Sequence, residues 1–159
     1  MLQITKRVDY ALVALSHLAL HPGERYSARG LAGAYFLSNT LMANVLKQLA
    51  KAELVSSSRG TKGGYELAEE PSRVAVGRVV ELFEGPLRLT ECVHPDEETD
   101  GLQCASSGIC PVKKNVFQLH LKIRDLLYGE SIADLVSTSR PSALPLAAPH
   151  LLSKKGDPA

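Results

Sequence analysis

The order of short amphipathic segments limits the folds that this chain can adopt. Apolar residues recur at helical spacing in three consecutive segments, and two short runs of strand-forming residues follow directly. Two predicted helices span residues 5–20 and 28–35, a third runs from the cap Ser38 to about residue 52, and the predicted strands span residues 54–56 and 65–67. Ser27 and Ser38 can cap the second and third helices through their side-chain oxygens. Three helices followed by a β-hairpin predict a winged helix-turn-helix.

The C-terminal half adds a long helix that is suited to self-association. Residues 75–84 predict a fourth helix, and we expect Pro111 to open a fifth that runs to Tyr128 and is closed by Gly129. Its apolar positions follow heptad spacing: Val112, Val116, Leu119, Ile123 and Leu126. Two heptads are too short for an isolated coiled coil, but they can pair this helix with its twin in a homodimer. The predicted fold class is mainly α with a small β-hairpin wing, a winged helix-turn-helix plus a long dimerisation helix.

Composition and charge favour a polyanionic partner over a membrane. The chain is 45% hydrophobic and 22% charged, and its longest apolar stretch, residues 10–20, is too short to cross a bilayer. No signal-peptide pattern opens the sequence, so we expect a cytoplasmic location. Residues 1–68 carry eight basic and four acidic side chains, whereas residues 69–110 carry three and nine. The basic N-terminal part suits contact with nucleic acid.

Two groups of residues in this basic part could contact duplex DNA. The candidates are Ser38, Asn39, Thr40, Asn44 and Lys47 in the third helix, and Arg59 and Lys62 in the hairpin turn. The polar groups of the helix can reach phosphates and base edges in a major groove, and the two cations of the turn can enter the adjacent minor groove. The alternative is a plain helical domain with a solvated basic loop.

All three cysteines fall in one polar, acidic segment that is rich in Gly and Ser. Cys92 and Cys104 are separated by 11 residues, and Cys104 and Cys110 by five. Thiolates on one flexible loop can converge on a single soft metal centre, and an odd number of cysteines in a reducing compartment points to metal binding or redox chemistry. Cys110 directly precedes the predicted start of the fifth helix, where the helix dipole would stabilise its thiolate. Three scattered thiols are the alternative.

Three thiolates leave an iron-sulfur cubane, or a zinc site, one ligand short. The fourth ligand could be His94, a carboxylate from elsewhere in the protein, or an exchangeable small molecule.

The predicted elements divide the chain into four parts. These are a winged helix-turn-helix DNA-binding domain (1–85), a cysteine-bearing cluster loop (86–110), a dimerisation helix with a short C-terminal helix (111–136) and a flexible tail (137–159).

Several motifs together resemble the Rrf-type family of winged-helix transcriptional regulators, in particular its IscR- and NsrR-like, iron-sulfur cluster-containing members. The motifs are the opening residues 2–12, the wing residues 54–60 and 63–67, the helix residues 76–81 and the three-cysteine loop. The resemblance runs from Met1 to about Val136. It implies a homodimer that binds palindromic double-stranded operator DNA, and an iron-sulfur cluster on the three cysteines.

The resemblance also narrows the choice of residues for the fourth cluster ligand. One subtype of the family places a histidine three residues after the last cysteine, but this chain has Lys113 there. Nitric-oxide-sensing members use an acidic residue near the start of the first helix of the other subunit, and Asp9 stands at the matching position. This implies ligation by Cys92, Cys104, Cys110 and Asp9, with a 4Fe-4S cluster favoured over 2Fe-2S. An acidic residue that only stabilises the first turn of a helix is the alternative role for Asp9.

The function expected from these observations is a DNA-binding regulator, in the first instance a repressor, whose operator affinity depends on a cluster that senses nitric oxide, redox or iron status. A thiol- or zinc-switched regulator of the same fold is one alternative, and a small iron-sulfur electron carrier is another. No arrangement of His, Asp and a nucleophile and no phosphate-binding glycine loop appears, so we do not expect an enzyme.

Overall fold

The computed structural model describes residues 4–60, 63–89 and 109–138. Its helices are α1 (Lys6–Leu20), α2 (Ala28–Ala34), α3 (Asn39–Lys51), α4 (Val76–Glu84), α5 (Lys113–Gly129) and α6 (Ile132–Thr138), its strands are β1 (Val55–Ser58) and β2 (Gly64–Leu67), and a 3-10 turn covers Pro71–Arg73. The predicted fold class is confirmed: the described residues are mainly helical, with one antiparallel hairpin among them. In the part of the chain described, no helix is long and apolar enough to span a membrane.

Helix α1 lies at the centre of the hydrophobic core. Its fully buried Ala11, Ala14 and Leu15 pack with buried side chains of α2 and α3 and with α6, whose Ile132 is also fully buried. The spacing of these residues along α1 places them on one side of the helix, as the sequence pattern predicted. The first three helices therefore share one core, and α6 packs into it from the C-terminal side.

The wing is joined to the loop that precedes α2. Strand β1 pairs with β2 in the register Val55↔Leu67 to Ser58↔Gly64. Tyr26 adds an isolated bridge to Tyr65, with N–H···O distances of 3.0 and 2.9 Å in the two directions. A Cβ at Gly64 would lie 2.9 Å from the Tyr26 carbonyl oxygen, so glycine permits this approach. The bridge fixes the base of the hairpin to the helical domain.

Helices α2 and α3 both end in a Schellman arrangement with a left-handed residue that is not glycine. Phe36 has a φ of 55° and Glu53 a φ of 60°. After them, Leu37 donates to the Ala32 carbonyl at 2.8 Å and Leu54 donates to the Leu49 carbonyl at 3.0 Å. These bonds satisfy carbonyls that a helix end leaves free.

Helix α5 begins later than the sequence pattern predicted. Val116 N–H donates to the Val112 carbonyl at 2.9 Å, so the helix starts at Lys113, and Pro111 lies in the turn before it. Cys110 therefore precedes the N-cap residue Val112 by two positions instead of lying directly at the helix N-terminus. The dipole argument for its thiolate is weaker than predicted, because this effect falls off within the first turn.

The far end of α5 is firmly attached to the rest of the domain. Val76 N–H donates to the Glu130 carbonyl at 2.8 Å, and Ile132 N–H donates to the Val74 carbonyl at 2.9 Å. Gly77 of α4 faces the ring of Tyr128, and a Cβ at this glycine would lie 2.5 Å from the ring carbon Cδ2. Helices α4 and α5 therefore meet at a contact that leaves no space for a side chain.

Candidate nucleic-acid interface and sensor residues

Helix α3 presents a polar face to solvent. Its buried side chains are Met42, Val45, Leu46 and Leu49, and its exposed ones include the predicted DNA-contact residues Asn39, Thr40, Asn44 and Lys47. Ser38 caps the helix as predicted, since its side chain accepts a hydrogen bond from Leu41 N–H at 3.4 Å. The Ser38 N–H in turn donates to the hydroxyl of Tyr10 in α1 at 2.9 Å. The start of α3 is thus fixed from both sides.

The wing is held by Arg25, a residue outside the predicted DNA-contact set. Arg25 donates through Nη1 to Ser58 Oγ at 3.0 Å and through Nη2 to Glu66 Oε1 at 2.8 Å, so it contacts both strands. The hydrogen bond raises the pKa of the guanidinium and lowers that of the Glu66 carboxyl. Arg59 is exposed just after β1, and Lys62 lies outside the described residues. Nothing local in the sequence marks Arg25, because its partners lie more than 30 positions away.

A basic groove extends the exposed face of α3 towards α1. It encloses about 390 Å³ and is lined by Arg7, Leu41, Asn44, Lys47 and Gln48. Two of these residues, Asn44 and Lys47, were predicted from the sequence to contact DNA. Arg7 was not, because helical spacing alone does not show which face of α1 lies beside α3. Gln48 was also missed, although it lies one turn after Asn44 on the same exposed face of α3 and spacing could have found it.

Two of the predicted cluster ligands fall within the described residues. Asp9 is exposed in the first turn of α1, and Cys110 carries a free, half-buried thiol. Neither forms an ion pair or a disulfide with another described residue, so a carboxylate oxygen and a sulfur are both available to bind iron. Cys92, Cys104 and His94 lie outside the described residues. Within the described ranges no three His, Cys, Asp or Glu side chains are grouped to hold a metal ion.

A histidine-tyrosine cluster joins the end of α1 to the end of α2. His17 Nδ1 lies 2.9 Å from the Tyr35 hydroxyl, and its ring stacks on His21 and meets Tyr26 edge-on, both at centroid distances of 4.4 Å. Burial, followed by the charge of His21, lowers the pKa of His17, while Glu24 acts more weakly in the opposite direction. The cluster therefore supports the residues that precede α3.

Comparison with known proteins identifies the family to which this chain belongs. The family model described as "Rrf2: Iron-dependent Transcriptional regulator" matches residues 4–138. The chain belongs to the Rrf2 family. As a member of it, the protein is a DNA-binding transcriptional regulator and not an enzyme, which sets aside the electron-carrier alternative.

Individual Rrf2 relatives match over most of the chain. The transcriptional regulator NsrR of Shouchella clausii is 30% identical over 136 residues, which make up 85% of this chain and 89% of that protein. CymR (YrzC), the global cysteine regulator of B. subtilis, has a similar structure with a TM-score of 0.70 and 26% identity, covering 87% of this chain and 99% of CymR. For IscR of T. potens the TM-score is 0.64 at 27% identity, covering 86% and 88%.

Proposed function

We propose that this Rrf2 protein is a homodimeric repressor whose affinity for double-stranded operator DNA is controlled by an iron-sulfur cluster. The position of Cys110 carries the proposal, because this thiol is separated by one short turn from α5, and α5 is attached to the DNA-binding domain through α4 and α6. A ligand bound at this thiol could change how the domain is held. The iron-dependent description of the family and the similarity to NsrR support iron as that ligand.

The homodimer is supported by apolar side chains that α5 leaves in solvent. On the heptad seam, Val112, Leu119 and Leu126 are 54%, 52% and 64% exposed, and Ile109 just before the helix is 87% exposed. Such a continuous apolar surface on a helix is typical of an interface. A twin helix packed along this seam would bury these residues.

In the DNA complex, α3 is assigned to the major groove and the wing to the minor groove. Ser38, Asn39, Thr40, Asn44 and Lys47 would contact phosphates and base edges, and Arg59 and Lys62 would enter the minor groove. Polar residues on the exposed face of a capped helix, with a cationic hairpin at its side, match what groove contacts require.

For the sensor we assign Cys92, Cys104 and Cys110 of one subunit and Asp9 of the partner subunit, with a 4Fe-4S cluster favoured over 2Fe-2S. When bound, the cluster would supply a centre open to nitric oxide or oxidation, because a hard carboxylate is a weak ligand beside soft thiolates. Asp9 neighbours Tyr10, whose hydroxyl holds the Ser38 amide at the start of α3. A coupling of about 1–3 kcal/mol along this route would change operator affinity roughly 5- to 150-fold.

Anaerobic purification of the full chain tests the cofactor. A brown protein with broad visible absorption, bleached by nitric oxide, supports the cluster. Asp9→Ala should weaken the cluster absorption and alter its response, whereas Glu70→Ala, which removes an exposed carboxylate elsewhere, should leave both unchanged. Footprinting of the loaded and metal-free proteins then shows which form binds DNA. Equal footprints in both forms would contradict cluster control.

The second candidate is a thiol- or zinc-switched regulator with the same fold. The free thiol of Cys110 and the similarity to CymR, the global cysteine regulator, favour it. A colourless anaerobic protein with stoichiometric zinc, or one whose operator binding responds only to thiol oxidants, would select this candidate. His94 would then be the first residue to test as a zinc ligand.

A further inference from the structure

The groove between α1 and α3 has the lining of an anion site. Arg7 and Lys47 contribute two cations from different helices, and Asn44 and Gln48 contribute side-chain amides. The remaining lining residue is the half-buried Leu41, and no carboxylate contributes to the lining. All four polar side chains are exposed at the open side of the groove.

The two cations have no acidic partner in the described part of the chain. The ion pairs found there join Arg25 to Glu66, Arg78 to Glu69 and Arg124 to Asp125. An anion in the groove would be attracted by both positive side chains, with no carboxylate in the lining to oppose it. The groove therefore has the charge that suits an anion.

We propose that Arg7 and Lys47 together bind one phosphate group of the operator backbone, with Arg7 as a DNA-contact residue supplied by α1. The inference rests on the proposed placement of α3 in the major groove, because the same exposed face carries Asn44 and Lys47 into the groove lining. A planar guanidinium binds two phosphate oxygens at once, an ammonium acts as a point charge, and amide N–H groups complete the set of donors. Such contacts fix the position of the protein on the duplex and carry no base specificity.

This phosphate contact would make the affinity for DNA depend on the position of α1, the helix that also carries Asp9. Arg7 and Asp9 lie in the first turn of α1, so a movement of this turn would displace the guanidinium from the phosphate. Binding strength could then change without any change in the base contacts of α3.

Salt dependence of DNA binding tests the proposal. A duplex recovered by the full-length protein from a random-sequence pool serves as the specific probe, and a scrambled duplex as the non-specific probe. Arg7→Gln should weaken binding to both probes roughly tenfold at low salt. It should also lower the magnitude of the slope of log K against log salt by up to about 2, the full loss of one phosphate contact in each subunit of the proposed dimer. Arg7→Lys should retain most of the slope.

Two further variants test whether the change in slope comes from the shared phosphate contact. Lys47→Gln should reproduce the loss of slope, and the double variant should lose less than the sum of the two, because both cations bind the same phosphate. Arg73 lies in the 3-10 turn near the C-terminal end of α1, far from Arg7. Arg73→Gln removes this exposed cation and should leave the slope unchanged. An unchanged slope for Arg7→Gln, with Lys47→Gln still effective, would overturn the role of Arg7 while leaving the proposed function intact. Failure of the wild-type protein to select any duplex would overturn the proposed function itself.

Discussion

The hydroxyl of Tyr10 accepts a hydrogen bond from the backbone N–H of Ser38 at 2.9 Å, which ties the first turns of α1 to the residue that caps α3. Tyr10 is itself 8% exposed, so its ring is part of the core while its hydroxyl bonds to the backbone that precedes α3. The orientation of α3 therefore depends on α1. Since Asp9 is the neighbouring residue, the proposed cluster ligand and the proposed DNA-contact helix are linked by a single side chain.

Tyr10→Phe should lower the free energy of unfolding by about 1 kcal/mol, because the Ser38 amide loses its acceptor. Operator affinity should fall several-fold at the same time, since the start of α3 is no longer fixed. Denaturant titration and fluorescence anisotropy with labelled duplex measure the two effects. Tyr128→Phe, which removes the hydrogen bond to Glu81 far from α3, is the control and should leave operator affinity unchanged. Equal affinity losses in both variants would contradict the link.

Leu119→Glu should convert the proposed homodimer into monomers at micromolar concentration, because a charge would be buried in the apolar seam of α5. Gln118→Glu places the same charge on the adjacent exposed position and should leave the dimer intact. Sedimentation velocity distinguishes the two states. A Leu119→Glu protein that sediments as the wild type does would place the subunit interface elsewhere.

Phe36→Gly should make the protein more stable by about 0.5–1 kcal/mol. The left-handed φ of 55° is costly for a side chain with a Cβ, and the ring is 97% exposed, so little packing is lost. Phe36→Ala keeps the cost of the left-handed backbone and should remain near the wild-type stability. Thermal and denaturant unfolding decide between these outcomes, and a destabilised glycine variant would show that the exposed ring makes a contact that outweighs the strain.

Stability should fall as the pH drops below the ordinary histidine value of 6.5, because His17 has a lowered pKa in the folded chain. The unfolded chain binds the proton first, so protonation favours unfolding in this window. His17→Gln should flatten the dependence of the unfolding midpoint between about pH 7 and pH 5.5. The carboxyls with lowered pKa values, Glu66 and Asp134, lose their contribution at more acidic pH and do not confuse the test. An unchanged profile in the variant would exclude His17 as the source.

Local patterns predicted the helices and the hairpin well because burial in this domain follows the helical repeat. The starts of α1 and α4 were each placed one residue early, and Ser27 and Ser38 cap α2 and α3 as expected. Pro111 was misleading, since its preference for a helix start does not distinguish the first turn of a helix from the turn before it. The left-handed residues were unforeseen because Phe36 and Glu53 occupy positions where glycine is the usual residue.

The site was predicted less completely than the fold. Exposure of Asn44 and Lys47 follows from spacing along one helix, whereas the placement of Arg7 and Arg25 depends on contacts between distant segments. Contacts between distant segments produce no periodic pattern in the sequence. The assignments of Lys62, Cys92, Cys104 and His94 stay predictions, because these residues lie outside the described part of the chain.

The absence of a side chain at Gly77 determines how a signal can travel through this molecule. With the Tyr128 ring pressed against the α4 backbone, a displacement of α5 should be passed directly to α4. In the proposed homodimer, a change at the cysteine loop would then also alter the angle between the two DNA-binding domains. The spacing of the operator half-sites is therefore a quantity on which the two regulatory states should disagree.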